Sequence, residues 1–90
     1  MMIAYEIYFT GHVQGVYFRV NTKEVSASFQ VSGYVRNCTD GRVHLWVQGD
    51  EDQIAAFVDA IKERMKGHIE HVEKTPTQCD ASIVDFQIRY

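Results

Sequence analysis

Ninety residues carrying a net charge of −3 leave room for one hydrophobic core and not two. The composition, 46% hydrophobic and 23% charged with a single proline, suits a globular domain in water, and no apolar run approaches the ~18 residues of a membrane span. The acidic balance argues against a general nucleic-acid binder. It does not argue against one small anion, because a local arginine and local amides can outweigh distant charge.

The start, Met1 to Glu6, has neither the basic flank nor the sustained apolar stretch of a secretory leader, so a cytoplasmic location is expected. Cys38 and Cys79 are too few for a disulfide scaffold and have no metal-type spacing. Two free thiols are the expected state, with a Cys38–Cys79 bridge as the alternative.

Ile3 to Thr10 alternates, with Ile3, Tyr5, Ile7 and Phe9 on one side, and predicts a half-buried strand. Residues 11–17 form a loop bounded by Gly11 and Gly15. Phe18 to Phe29 predicts a helix, because Phe18, Thr22, Val25, Ser26 and Phe29 recur at three- and four-residue steps. Its β-branched residues lower intrinsic propensity, so packing must supply much of its stability.

Val31 to Asn37 reads as a second strand and Thr39 to Arg42 as a hairpin turn, with Asp40-Gly41 supplying positive φ. Val43, Leu45 and Val47 alternate with His44, Trp46 and Gln48 in a third strand. Asp50 is placed to cap a second helix with acids in its first turn. The helix carries an apolar stripe of Ile54, Phe57, Val58, Ile61 and Met65, and Gly67 closes it. His68 to Lys74 predicts a short edge strand, Thr75 to Ala81 a loop, and Val84, Phe86, Ile88 and Tyr90 a closing strand. The order β-α-β-β-α-β-β is an α+β, ferredoxin-like βαββαβ plan with one added short strand: an antiparallel sheet with two helices on one face. That plan alone names no activity.

Two stretches carry chemistry. Gly11-His12-Val13-Gln14-Gly15-Val16-Tyr17-Phe18-Arg19 runs from a strand end into a helix start. A helix N-terminus has unpaired N–H groups and partial positive charge, and a loop curled over it adds further amides. Arg19 supplies a planar fork of donors matched to two phosphate oxygens. A tight turn beside a solvated arginine is the plainer alternative for such a loop taken alone. In the second stretch, Gly33 to Val43, Asn37 stands at a strand end, where an amide can accept from water and donate to a neighbouring oxygen together. Its plainer alternative is a turn cap.

Taken together the two stretches resemble the signature segments of the acylphosphatase family. The first family segment, Gly-x-Val-Gln-Gly-Val-x-Phe-Arg, fits Gly11 to Arg19 at every fixed position. The second, Gly-aromatic-Val-basic-Asn-x-x-Asp-Gly-x-Val followed by Gly, fits Gly33 to Val43 and Gly49. The resemblance spans nearly the whole chain and implies a single acylphosphatase-like domain over residues 1–90. It implies hydrolysis of acyl phosphates to carboxylate and inorganic phosphate, with no metal and no cofactor. The amides of Gln14, Gly15, Val16, Tyr17 and Phe18, with Arg19, would hold the phosphate, or sulfate in its place. Arg19 and Asn37 would be the catalytic residues, Asn37 orienting the water. The expected enzyme is a monomer acting on small molecules, with no nucleic-acid or membrane partner. One departure is Gln30, where the family usually has a glycine that would serve as a left-handed helix cap; about 1 kcal/mol of local helix-end stability is put in question.

Other readings are weaker. His68 and His71, three apart on an expected strand, face opposite sides and suit surface positions better than a metal site. His12 occupies a variable motif position and receives no catalytic role. Tyr5, Tyr8, Tyr17, Tyr34 and Trp46 could suggest base stacking in a non-catalytic binding module for RNA or a small anion, but Val43 to Val47 lacks the aromatic and basic signature of such sheets. Acylphosphatase-like domains also begin larger carbamoyl-transfer proteins, which continue into cysteine-rich segments; with Tyr90 as its last residue this sequence favours the stand-alone enzyme.

Overall fold

A computed structural model describes residues 1–90. The elements in chain order are β1 (Met2–Gly11), α1 (Phe18–Ser26), β2 (Val31–Asn37), β3 (Val43–Asp50), α2 (Glu51–Arg64), β4 (Ile69–Thr77) and β5 (Phe86–Arg89). The expected order of elements is present, and the fold is ferredoxin-like α+β. The sheet runs β4-β1-β3-β2-β5. Its first four strands pair antiparallel, whereas β5 lies parallel to β2, from Gly33 opposite Phe86 to Arg36 opposite Arg89. The sheet is therefore mixed rather than antiparallel throughout. After β4 at one edge the chain crosses to the far edge and arrives there running in the same direction as β2.

That crossing explains a second departure from the simple alternating pattern. Residues 78–85 pass over the sheet face that carries no helix. Gln48 Nε2 donates to the carbonyls of Asp80 and Ile83 at 2.9 Å each, and Asp80 N donates back to Gln48 Oε1 at 2.9 Å. Gln48 is buried under this crossing and Trp46 is buried with its ring stacked 5.8 Å from that of Tyr34, although period-two patterning places both away from the main core. On the helix side, Ile7, Phe9, Val35, Leu45 and Val47 meet Phe18 and Val25 of α1 and Ile54, Phe57, Val58 and Ile61 of α2 in one cluster. Each such fully buried side chain contributes about 1.5–3 kcal/mol.

The helix ends show two further corrections. Past Ser26, α1 tightens into turns in which Ala27, Ser28 and Phe29 donate to Glu24, Val25 and Ser26. Tyr17 is the only non-glycine residue with positive φ, so Gln30 is not in the left-handed region, and its N–H is satisfied by Gln53 Oε1 at 2.9 Å. The conformational penalty expected at Gln30 does not arise, because this helix end has no left-handed position to fill. Asp50 occupies the N-cap position of α2 but makes no side-chain cap bond; its carboxylate takes the N-terminal ammonium at 3.1 Å instead. The edge strand β4 runs three residues beyond its expected end and includes Pro76 opposite Tyr5, which an edge tolerates because only one side is paired. No helix is long and apolar enough to cross a membrane.

Candidate active site

The loop between β1 and α1 is pinned at both ends by packing. Phe9 near the end of β1 and Phe18 at the start of α1 pack with ring centroids 5.0 Å apart and planes tilted by 51°, and Val13 between them is fully buried. At its start the loop presses on β4: a Cβ on Gly11 would lie 2.5 Å from the His68 carbonyl oxygen, so only glycine fits this approach. The loop then turns through Gly15 at φ 75° and Tyr17 at φ 59°. A tyrosine in the left-handed region is costly, by about 1–2 kcal/mol. The carbonyl of Tyr17 is held by two donors from the next turn, Asn21 N at 3.0 Å and Asn21 Nδ2 at 2.9 Å.

This path leaves a run of free donors. From Gln14 to Val20 no backbone N–H donates to a protein acceptor, and the helical ladder begins only with Asn21 N to Tyr17 O. An exposed run of amides at a helix start is a site for an anion. The cavity beside it has a volume of about 330 Å³ and is lined by Val13, Gly15, Tyr17, Phe18, Arg19, Val20 and Asn37. Arg19 and Asn37, from distant parts of the chain, thus share one wall-to-wall space with the loop. Asn37 reaches it because Val35 and Asn37 fall on the helix-facing side of β2, and Val35 is in the core.

Gln14 and Val16 do not line this cavity. Val16 packs on the core. The Gln14 side chain turns to the β2–β3 hairpin, where Nε2 donates to the Cys38 carbonyl at 2.8 Å and the Arg42 carbonyl at 2.9 Å. Neither side chain belongs to the cavity, whereas the main-chain N–H groups of both residues have no protein acceptor. The hairpin is otherwise closed by Cys38 N to Arg42 O at 2.8 Å and by Asp40, whose Oδ1 accepts from Arg42 N at 3.1 Å and whose Oδ2 accepts from Arg42 Nε at 2.8 Å. These bonds from Arg42, its backbone N–H first, hold the Asp40 carboxyl below its ordinary value. Gly41 supplies the positive φ expected of it, 94°. The turn is capped by these groups, so Asn37 is not spent on capping it.

Arg19 is not a freely solvated helix residue. Its Nη1 donates to the Arg89 carbonyl at 3.1 Å and its guanidinium lies 4.7 Å from the centroid of the Tyr90 ring. One arm of the fork is anchored by the C-terminal strand, leaving the other donors for a ligand. Sequence reasoning missed these supports, and the side-chain role of Gln14, because nothing in the spacing announces a contact across 70 residues. His12 meets His68 edge-on, with ring centroids 5.8 Å apart, outside the cavity lining, and His71 is exposed beside Glu73. Both thiols, Cys38 and Cys79, are free.

Fold and cavity together define a small ferredoxin-like α+β protein whose first strand–loop–helix unit borders a cavity with a run of unpartnered N–H groups. Comparison with known proteins narrows the class. The family model described as Acylphosphatase matches residues 5–88. An acylphosphatase of Syntrophus aciditrophicus is 33% identical over 91 residues, covering 100% of this chain and 95% of its own, and one of Archaeoglobus fulgidus is 46% identical over 61 residues, 68% of each. The crystal structure of acylphosphatase from Bacillus subtilis superposes with a TM-score of 0.88 at 30% identity over 100% of both chains. The chain belongs to the acylphosphatase family.

Proposed function

We propose that this acylphosphatase, a single domain over residues 1–90, binds the phosphoryl group of its substrate in the loop of residues 14–18 and hydrolyses it with Arg19 and Asn37. The observation that carries this reading is the run of unpartnered N–H groups from Gln14 to Val20 bordering the cavity that Arg19 and Asn37 share. The backbone N–H groups of Gln14, Gly15, Val16, Tyr17 and Phe18 donate to the phosphoryl oxygens, and the free donors of Arg19 neutralise their charge.

Asn37 holds a water by its side-chain oxygen, in line with the bond to be broken. The water oxygen bonds to phosphorus, the bond from phosphorus to the acyl oxygen breaks, and the carboxylate departs with that electron pair. The water proton passes to a phosphate oxygen, so the products are a carboxylate and dihydrogen phosphate. A carboxylate is a good leaving group and needs no general acid. Such a transition state is loose, with charge spread over the equatorial oxygens, so positioning and electrostatic stabilisation supply most of the rate. Both are provided here by main chain and one permanently charged side chain, and the chemistry calls for no metal or cofactor. We read the enzyme as a cytoplasmic monomer acting on small molecules.

The decisive assay is hydrolysis of benzoyl phosphate in excess chelator by wild type and Arg19→Ala. Full activity of wild type and a loss of about 10²–10³ in kcat/KM for the variant are expected, the scale of removing one oxyanion donor. Chelator-sensitive hydrolysis, or an Arg19→Ala enzyme as fast as wild type, overturns the assignment.

A further inference from the structure

The mouth of the cavity holds apolar surface that phosphate binding does not use. Six large hydrophobic residues are exposed on this protein, and two of them, Tyr17 at 78% and Val20 at 45%, line the cavity. They sit three apart, Val20 in the first turn of α1 and Tyr17 at its N-cap, a spacing that puts both on one side of the helix entrance. Tyr17 occupies one of the two variable positions of the first signature segment, so phosphate capture does not dictate its side chain. Its exposure is also maintained against a backbone cost, since tyrosine is held at φ 59° where glycine would rest without strain. Among the lining residues Arg19 is the only charged one, and one of its arms is already committed to the Arg89 carbonyl. A second charge on the substrate, of either sign, would find no dedicated partner in that lining.

Building on the catalytic reading above, we infer that Tyr17 and Val20 form an apolar shelf that receives the acyl group, making this enzyme selective for acyl phosphates with aromatic or bulky apolar acyl groups over short ones. With the phosphoryl group in the loop, the acyl group projects towards the cavity mouth, where the Tyr17 ring covers one face of it and the Val20 methyl groups close the side. The selectivity is read as the ratio of kcat/KM for benzoyl phosphate to that for acetyl phosphate. The intrinsic lability of the two anhydrides cancels when this ratio is compared between wild type and variants.

Tyr17→Gly suits the backbone, because glycine accepts the left-handed conformation, so loss of the fold does not confuse the result. Val20→Thr preserves shape while placing a hydroxyl on the shelf. The benzoyl to acetyl ratio should fall roughly tenfold in Tyr17→Gly, chiefly through KM for benzoyl phosphate, and roughly threefold in Val20→Thr, the scale of one lost aromatic contact and one polar replacement. A ratio within twofold of wild type in both variants refutes the shelf while leaving the phosphatase reading intact. Hydrolysis of neither acyl phosphate by wild type removes both.

Discussion

Replacing Gln14 by alanine tests how the two halves of the active site are held together. Gln14 sits in the β1–α1 loop, yet its side-chain amide reaches across to the β2–β3 hairpin and bridges two carbonyls, Cys38 O at 2.8 Å and Arg42 O at 2.9 Å. The residue immediately before Cys38 is Asn37, so this bridge fixes the distance between the loop and the residue assigned to water. Truncation removes two partly buried hydrogen bonds of about 0.5–1.5 kcal/mol each. Both carbonyls keep a second donor: Gly41 N reaches Cys38 O at 3.3 Å and Cys38 N reaches Arg42 O at 2.8 Å. Neither is orphaned, so the loss belongs in the lower half of that range, about 1–2 kcal/mol in all. For a domain of this size that lowers Tm by about 4–15 °C. Activity should fall further than stability suggests, by about tenfold to a hundredfold in kcat at a temperature where the variant is fully folded, because a displacement near 1 Å disturbs in-line attack. Thermal melting followed by circular dichroism, with kcat for benzoyl phosphate on the same sample, measures both. Gln14→Glu should be worse than Gln14→Ala, since a carboxylate would face two carbonyl oxygens. A Gln14→Ala protein that melts and turns over like wild type would show that the bridge does not position Asn37.

Two further predictions follow from the same geometry. Asn37→Ala should lower kcat for benzoyl phosphate by about 10²-fold or more while the inhibition constant of inorganic phosphate changes less than threefold, because Asn37 is assigned to the water and not to the anion; equal losses in both would return Asn37 to the phosphate site. His44 supplies a pH test of stability. It is 2% exposed, accepts from Arg36 Nε through Nδ1 at 3.1 Å and sits with Nε2 3.2 Å from Glu6 Oε1, so the neutral ring with its hydrogen on Nε2 satisfies both partners. Burial first, then the Arg36 charge, pushes its pKa below the ordinary 6.5, against a smaller upward pull from Glu6. Above pH 6.5 both folded and unfolded states are neutral at this ring. Below it the unfolded chain takes the proton first, so stability should decline with falling pH at up to about 1.4 kcal/mol per pH unit until the folded-state pKa is reached. Urea unfolding between pH 7.5 and 5 measures the slope, and His44→Gln should flatten it; an unchanged slope in that variant would place the titration elsewhere.

The two helices, the five strands and their order along the chain were legible in the sequence, and all but the mixed-polarity edge strand β4 carry a hydrophobic period that local geometry imposes. The glycine-bounded loop between β1 and α1 was legible as well. Glycines at 11 and 15 and an arginine one step into a helix belong to one short segment, and Asp40-Gly41 announces its turn in the same local way. The sequence did not show that β5 pairs parallel to β2, that residues 78–85 cover Gln48, or that Gln30 needs no left-handed cap, since each depends on which distant segment lies alongside.

The same division runs through the active site. The residue types proposed for oxyanion capture are local and could be named from the chain alone. Their registration is not: Asn37 joins Arg19 because alternation along β2 turns it towards the helices, and Arg19 is steadied by a carbonyl and a ring near the end of the chain. Local sequence decides what backbone shapes and charges a segment can offer. Only packing decides which of them meet, because contacts between segments far apart in sequence are chosen by the burial of the whole core and leave no periodic mark at the residues they join.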